Sequence, residues 1–297
     1  MPISTTKIIV VVLVVIAAVG GALLYLVSRE APAEPALAQV VRPVQTGPVE
    51  KLIGLSVQGR DIRAYTYGSG PTRLVFVGGM HGGYEWNSVL LAYQFMDYLV
   101  QNPSTIPAAL SITVIPDVNP DGVFKIIGKE GRFDIADVPS GDSSVGRFNA
   151  HEVDLNRNFD CNWKSEATWR GTKESAGAAP FSEPEAVAIR DFALQNKPAA
   201  FVFWHSQSNA VYASQCNAGI LPQTLDIMNA YSKASGYPAV ESFDAYPVTG
   251  DSEGWLASIN IPAITVELQT HETVEWERNL KGIQALLTYY GNKPVTQ

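Results

Sequence analysis

The stretch VGGMHGGYEWNS, residues 77–88, sets His81 four positions before Glu85. Imidazole nitrogens and carboxylate oxygens are zinc donors. In one extended strand, however, these two residues would stand about 13 Å apart, against a ligand bond of about 2 Å. They can share an ion only if the chain turns between them. Gly82 and Gly83 fill the gap, and glycine permits turns that other residues resist. Glu85 is also the only carboxylate within ten residues of His81 on either side. A third donor must come from a distant segment, and His205, which ends the apolar run FVFWH, is the candidate. Two histidines and one carboxylate, with water in the fourth position, form the ligand set of a catalytic zinc. His151 lies in a polar loop and His271 follows an apolar run; both are read as non-ligands.

Zinc brings the pKa of water near neutrality. Hydrolysis then needs a carboxylate outside the ligand set to accept a proton and pass it to the leaving group. Glu267, near the end of ITVEL, fits that role. A developing oxyanion also needs an electrophile. Arg147 and Arg157, both within GRFNAHEVDLNRNFDCNW, are the candidates.

Such side chains need a scaffold. Short runs rich in Val, Ile and Phe begin at Arg73, Ala109, Ala199 and Pro262, and IRAYTYG (62–68) alternates with period two. The former suit buried central strands and the latter a half-buried one. Helical patches fall between them at 88–100, 183–196, 223–235 and 273–290; in the last, Trp276, Leu280, Ile283 and Leu287 recur at helical spacing and read as core packing. The alternation predicts an α/β domain with a mixed, mostly parallel central sheet covered by helices on both faces. Sites in such sheets gather beyond the carboxyl ends of strands, where His81, His205 and Glu267 fall.

With 297 residues, 46% of them hydrophobic, the chain can bury one large core. A net charge of -8, with no Lys/Arg cluster, argues against nucleic-acid binding. Residues 8–27 carry no charge, and as a helix those 20 residues would span about 30 Å, the thickness of a bilayer core. Lys7 precedes them, which favours a cytoplasmic N-terminus and an exported remainder; a cleaved signal peptide is the alternative. The expected organisation is therefore an anchor or signal segment (1–28), a Pro/Ala-rich linker (29–48) and one catalytic domain (49–297). The location is membrane-anchored with the domain outside the cytoplasm, or secreted if the segment is cleaved. Cys161 and Cys216 can form one disulfide in an exported protein, or remain packed thiols.

Five stretches stand in one order along the chain: NPDG (119–122), VDLNRNFD (153–160), FSEPEA (181–186), FWHS (203–206) and TVEL (265–268). Together they resemble the zinc carboxypeptidase family, the carboxypeptidase A/B-like metallopeptidases, in the manner of a bacterial exported member. The resemblance covers the chain from about residue 56. It implies one zinc on His81, Glu85 and His205, with Glu267 as general base and Arg147 polarising the scissile carbonyl. It further implies that Asn156 and Arg157 grip the free C-terminal carboxylate of a peptide and that Tyr246 caps the substrate. By the same resemblance Glu253 lines the side-chain pocket and favours a cationic terminal residue. Tyr84 stands where the family's usual His-x-x-Glu spacing places the glutamate, so either the glycine-rich turn absorbs one extra residue or the site is altered. Three functions follow: a metallocarboxypeptidase, a peptidase of diaminopimelate-containing cell-wall peptides using the same site, or a silent module that binds peptide ends.

Overall fold

The computed structural model describes residues 15, 19–21, 47–244 and 246–292. The expected membrane segment lies almost wholly outside the described residues, as does most of the linker. Among the described residues no helix is long and apolar enough to cross a membrane.

Residues 49–292 build an α/β domain on an eight-stranded mixed sheet. Its strands are β1 (Val49–Leu55), β2 (Asp61–Gly68), β3 (Thr72–Val77), β4 (Leu110–Ile115), β7 (Ala200–Ser206), β8 (Ala210–Ala213), β11 (Ala239–Val240) and β12 (Ala263–Leu268), in the order β1-β2-β4-β3-β7-β12-β8-β11. Two small hairpins stand apart: β5 (Glu166–Trp169) with β6 (Thr172–Ser175), and β9 (Gln215–Cys216) with β10 (Gly219–Ile220). The four central strands, β4-β3-β7-β12, run parallel, and antiparallel pairings flank them.

The apolar central strands are buried on both faces because successive side chains point to opposite sides. In β7, Phe201 and Phe203 enter one core while Val202 and Trp204 enter the other; in β3, Val75 and Val77 divide from Leu74 and Phe76 in the same way. Helices α1 (Trp86–Gln101), α4 (Pro222–Ser235) and α6 (Trp276–Gly291) cover one face. Helices α3 (Pro184–Asn196) and α5 (Ser252–Ser258) cover the other.

The NPDG motif has a structural reason. It opens α2 (Pro120–Ile127), where the Asn119 side chain accepts from Gly122 N at 2.9 Å and Pro120 occupies the first turn, the position at which its missing N–H costs least. Gly128, at φ 72°, ends the helix in the left-handed conformation that glycine supplies. The Asn119 amide also donates to the carbonyl of Arg147 at 3.3 Å, so one cap holds both a helix and a candidate site arginine.

Candidate active site

β3 ends just before Gly78, and the chain then folds into a 3₁₀ turn, Gly82–Glu85. That turn absorbs the extra residue in His-x-x-x-Glu. It passes so close to its neighbours that side chains do not fit. A Cβ on Gly82, which sits at φ +46°, would lie 2.6 Å from the Gly146 carbonyl oxygen, and one on Gly83 would lie 2.7 Å from that of Gly122. The turn brings Glu85 Oε1 to 2.8 Å from His81 Nδ1. His205, near the end of β7, sets its Nδ1 2.9 Å from Glu85 Oε2 and 3.2 Å from His81 Nδ1. All three side chains are buried, and their donor atoms lie within 4.8 Å of one another.

Two imidazoles with the same ring nitrogen turned toward each other and toward a buried carboxylate form a donor set whose chemistry suits a divalent cation. The electrostatics agree. Burial opposes ionisation of Glu85, yet the two imidazoles hold its pKa well below the usual carboxylate range. Burial opposes charging of His205, yet Glu85 raises its pKa well above the ordinary imidazole value. A site so inclined toward positive charge, with two nitrogens and one carboxylate, fits zinc. The outer nitrogens have carboxylates nearby as well: His81 Nε2 lies 3.3 Å from Asp154 Oδ1 and His205 Nε2 lies 3.6 Å from Glu253 Oε1. Such partners fix ring orientation and raise ligand basicity.

Glu267 sits on β12 directly opposite His205 in the parallel register with β7. Its Oε2 accepts from Ser208 N at 3.2 Å. Burial, followed by the nearby charge of Glu85, pushes its pKa up to about 7. A carboxylate poised there can both take and return a proton near neutral pH.

Arg147 is buried, donating to Asp154 Oδ2 at 2.5 Å and lying 3.9 Å from Glu85 Oε1. Arg157 donates to the Asn156 carbonyl at 2.7 Å. Asn156 Oδ1 accepts from both the N–H and the hydroxyl of Ser252, each at 2.9 Å, which leaves its amide N–H₂ to donate. Both residues line one cavity of about 430 Å³ with His81, Glu85, His205, Arg147, Tyr246, Glu253 and Glu267. Tyr246 is half-buried, its ring 4.7 Å from Phe243. Glu253, expected to line the side-chain pocket, is also engaged within the chain: its oxygens accept from Ser252 Oγ and Thr265 Oγ1, each at 2.8 Å. It lines the cavity and braces His205 at once. The two remaining histidines stand outside this three-residue group. His151 pairs with Glu183 away from the site, and His271 Nδ1 lies 2.6 Å from Ser206 Oγ.

The structure adds residues that the sequence reading did not assign. Asp154 lies in a motif quoted above, two positions before Asn156, and touches both His81 and Arg147. The β5–β6 hairpin contributes Trp169, whose ring stands 4.6 Å from the Arg147 guanidinium, and Arg170, which lines the cavity. From β6, the buried Glu174 reaches within 3.5 Å of Arg147 Nε and 3.7 Å of Arg157 Nε. Burial and the charge of Asp154 push the pKa of Glu174 up to about 8. Cys161 and Cys216 are bridged, their Cα atoms 6.0 Å apart, so the loop bearing Asn156 and Arg157 is tied to the β9–β10 hairpin.

The sequence profile of the zinc carboxypeptidases matches residues 49–284. Gamma-D-glutamyl-L-diamino acid endopeptidase 1 of Lysinibacillus sphaericus is 26% identical over 238 residues, covering 73% of this chain and 59% of its own length. The chain thus spans less than two thirds of that relative. Among solved structures, thrombin activatable fibrinolysis inhibitor superposes with a TM-score of 0.68 at 18% identity, over 84% of this chain and 70% of the other. Murein-tripeptide amidase MpaA of Escherichia coli O157 superposes with a TM-score of 0.59 at 23% identity, over 89% and 98% of the two chains.

Proposed function

The chain belongs to the zinc carboxypeptidase family and is a zinc metallopeptidase, and on that premise we propose that it hydrolyses the last peptide bond before a free C-terminal carboxylate. The observation that carries this reading is one cavity holding both the His81–Glu85–His205 donor set and an amide-plus-guanidinium pair, Asn156 and Arg157. His81, Glu85 and His205 would hold the zinc, whose Lewis acidity makes water nucleophilic near neutral pH. Asn156 and Arg157 bind the terminal carboxylate, with the planar guanidinium suited to two parallel hydrogen bonds. Arg147, held by Asp154, presents a fixed positive charge to the carbonyl oxygen as negative charge develops there. Glu267 accepts the proton and returns it to the departing amine. Tyr246 covers the bound terminal residue.

Peptides with a free C-terminus and their C-terminal amides, incubated with zinc-loaded protein, test the reading. Release of one residue from the free acid, with the amide untouched, is expected. Internal cleavage, or equal cutting of both, sinks it. A protein that binds free peptide ends without turnover at full zinc occupancy would be the silent module instead.

Cell-wall peptides are a second reading, favoured by Glu253 together with the Arg157 clamp. Diaminopimelate offers an ammonium to the acid and a carboxylate to the guanidinium, and two of the proteins similar to this chain carry cell-wall substrates in their names. Glu253 also leads to a preference for a cationic terminal residue: kcat/KM for peptides ending in Arg is expected to exceed that for peptides ending in Leu, and equality would remove Glu253 from specificity. The bridged cysteines, with the apolar residues 8–27, support placing this activity outside the cytoplasm.

A further inference from the structure

The β5–β6 hairpin lies outside the main sheet, yet it lines the cavity. Trp169 and Thr172 are the last paired residues, so the connection has two residues, Arg170 and Gly171. Both have positive φ, 50° and 80°. This is the type I′ geometry, in which Asn, Asp or Gly normally takes the first position. A long side chain there holds a sparsely populated backbone region, an arrangement that persists where the surroundings or the function require it.

Arg170 faces the cavity and is exposed. Among the described residues its guanidinium has no ion pair or hydrogen bond with the chain; it stands over the Trp169 ring, at 5.1 Å, and its charge also reaches Tyr84 and His271. Arg147 and Arg157 differ in being buried and engaged with Asp154, Glu174 and the backbone. Trp169 packs edge-on against Tyr84 at 5.3 Å, and Tyr84 immediately precedes Glu85. This wall therefore borders the metal ligands and Arg147, while the terminal-carboxylate clamp joins Ser252 and the Gly250 turn. A peptide held by its end at Arg157, with its scissile carbonyl at Arg147, would run out past Trp169 and Arg170.

We infer that Arg170 and Trp169 form a subsite for a carboxylate on the residue acylating the scissile bond. This rests on the orientation given by the terminal-carboxylate reading above. Two substrate chemistries present such a group: the side chain of an α-linked acidic residue, and the free α-carboxylate of a γ-linked glutamate. The stacked indole supplies an apolar floor and the guanidinium supplies the charge.

The test uses matched pairs with the same terminal residue. One pair carries α-L-glutamyl or glutaminyl before the scissile bond; the other carries γ-D-glutamyl or its α-amide. Wild type is expected to favour the acid over the amide about fivefold in kcat/KM, the size of a solvent-facing ion pair, in at least one pair. The pair that discriminates identifies the linkage. Arg170→Gln abolishes the preference and leaves the neutral partner's kcat/KM within twofold; Arg170→Lys keeps part of it. The same pairs are titrated calorimetrically onto zinc-loaded Glu267→Gln protein, so the readout does not depend on turnover. Equal binding of acid and amide in both pairs, or a preference that survives Arg170→Gln, overturns the subsite. Charge-selective binding that Arg170→Gln removes, without hydrolysis of any peptide, supports the subsite and refutes the carboxypeptidase reading.

Discussion

Asp154 is fully buried between a candidate metal ligand and a candidate electrophile, 3.3 Å from His81 Nε2 and 2.5 Å from Arg147 Nη2. Burial alone would keep it protonated, but Arg147 and His81 hold its pKa well below the usual range. Asp154→Asn keeps the shape and loses the charge, so zinc affinity is expected to fall about 10- to 100-fold, as for other second-layer partners; competition with a chromogenic chelator measures it. Glu267→Gln is expected to lower kcat about 10²- to 10⁴-fold with zinc stoichiometry unchanged, and loss of zinc along with activity would contradict its role as base. In the proposed role Glu267 works ionised, so kcat/KM is expected to fall as pH drops through its pKa. Burial places that near 7, and a bound cation draws the acid limb lower. Glu174 titrates with a different outcome. Its folded pKa of about 8 lies above the ordinary 4.5, so the folded state retains the proton and stability declines as pH rises from about 4.5 toward 8. Glu174→Gln cannot ionise and should flatten that decline, visible as a Tm difference from wild type that changes between pH 5 and pH 9. Parallel curves would show that Glu174 is already charged in the fold.

At the scale of elements, the 3₁₀ turn after β3 and the β5–β6 hairpin invite opposite substitutions. Gly82→Ala forces a Cβ to within 2.6 Å of a backbone oxygen at φ +46°. A loss of about 2 kcal/mol or more, with weaker zinc binding, is expected from urea unfolding of the variant. Arg170→Asn gives the I′ turn a residue that suits it, and should raise stability by about 0.5–1 kcal/mol while removing charge selectivity. The sequence revealed one of these elements and hid the other. β3, β4, β7 and β12 were legible because both of their faces are buried, leaving unbroken runs of Val, Ile and Phe. The turn at Gly82–Gly83 was legible because an extended strand would keep His81 and Glu85 apart and two adjacent glycines permit the chain to fold back. The hairpin was not: EATWRGTKES (166–175) is polar, short and lacks the Asn-Gly signature. The partners of Glu174, at 147 and 157, are too distant along the chain for any local pattern to announce. Glu253 lines the cavity, but its engagement with Ser252 and Thr265 depends on packing between α5 and β12 that no local pattern announces.

At the scale of the whole molecule, the Cys161–Cys216 bridge closes a separation of 55 residues. Loop-closure entropy assigns such a cross-link about 4 kcal/mol. The double Cys→Ser variant should therefore unfold at markedly lower urea, and a shift too small to measure would mean that the β9–β10 hairpin is held by its other contacts. The bridge does not act alone: Gly250 N donates to the Cys161 carbonyl at 2.7 Å, and Phe159 N donates to that of Gly250 at 2.9 Å. The loop bearing the clamp is thus fastened from two directions.

The parallel register of β7 with β12 sets His205 and Glu267 side by side, although 61 residues of chain separate their positions. That detour carries Gln215, Tyr246, Asp251 and Glu253, the wall around the departing residue. It leaves the sheet and returns to it on neighbouring rungs. The side chains of His205 and Glu267 are not held by the sheet alone: from within the detour, Ser208 N donates to Glu267 Oε2 at 3.2 Å and Glu253 Oε1 stands 3.6 Å from His205 Nε2. A change to the detour at Ser208 or Glu253 therefore reaches His205 and Glu267 even while the strands that carry them stay in register.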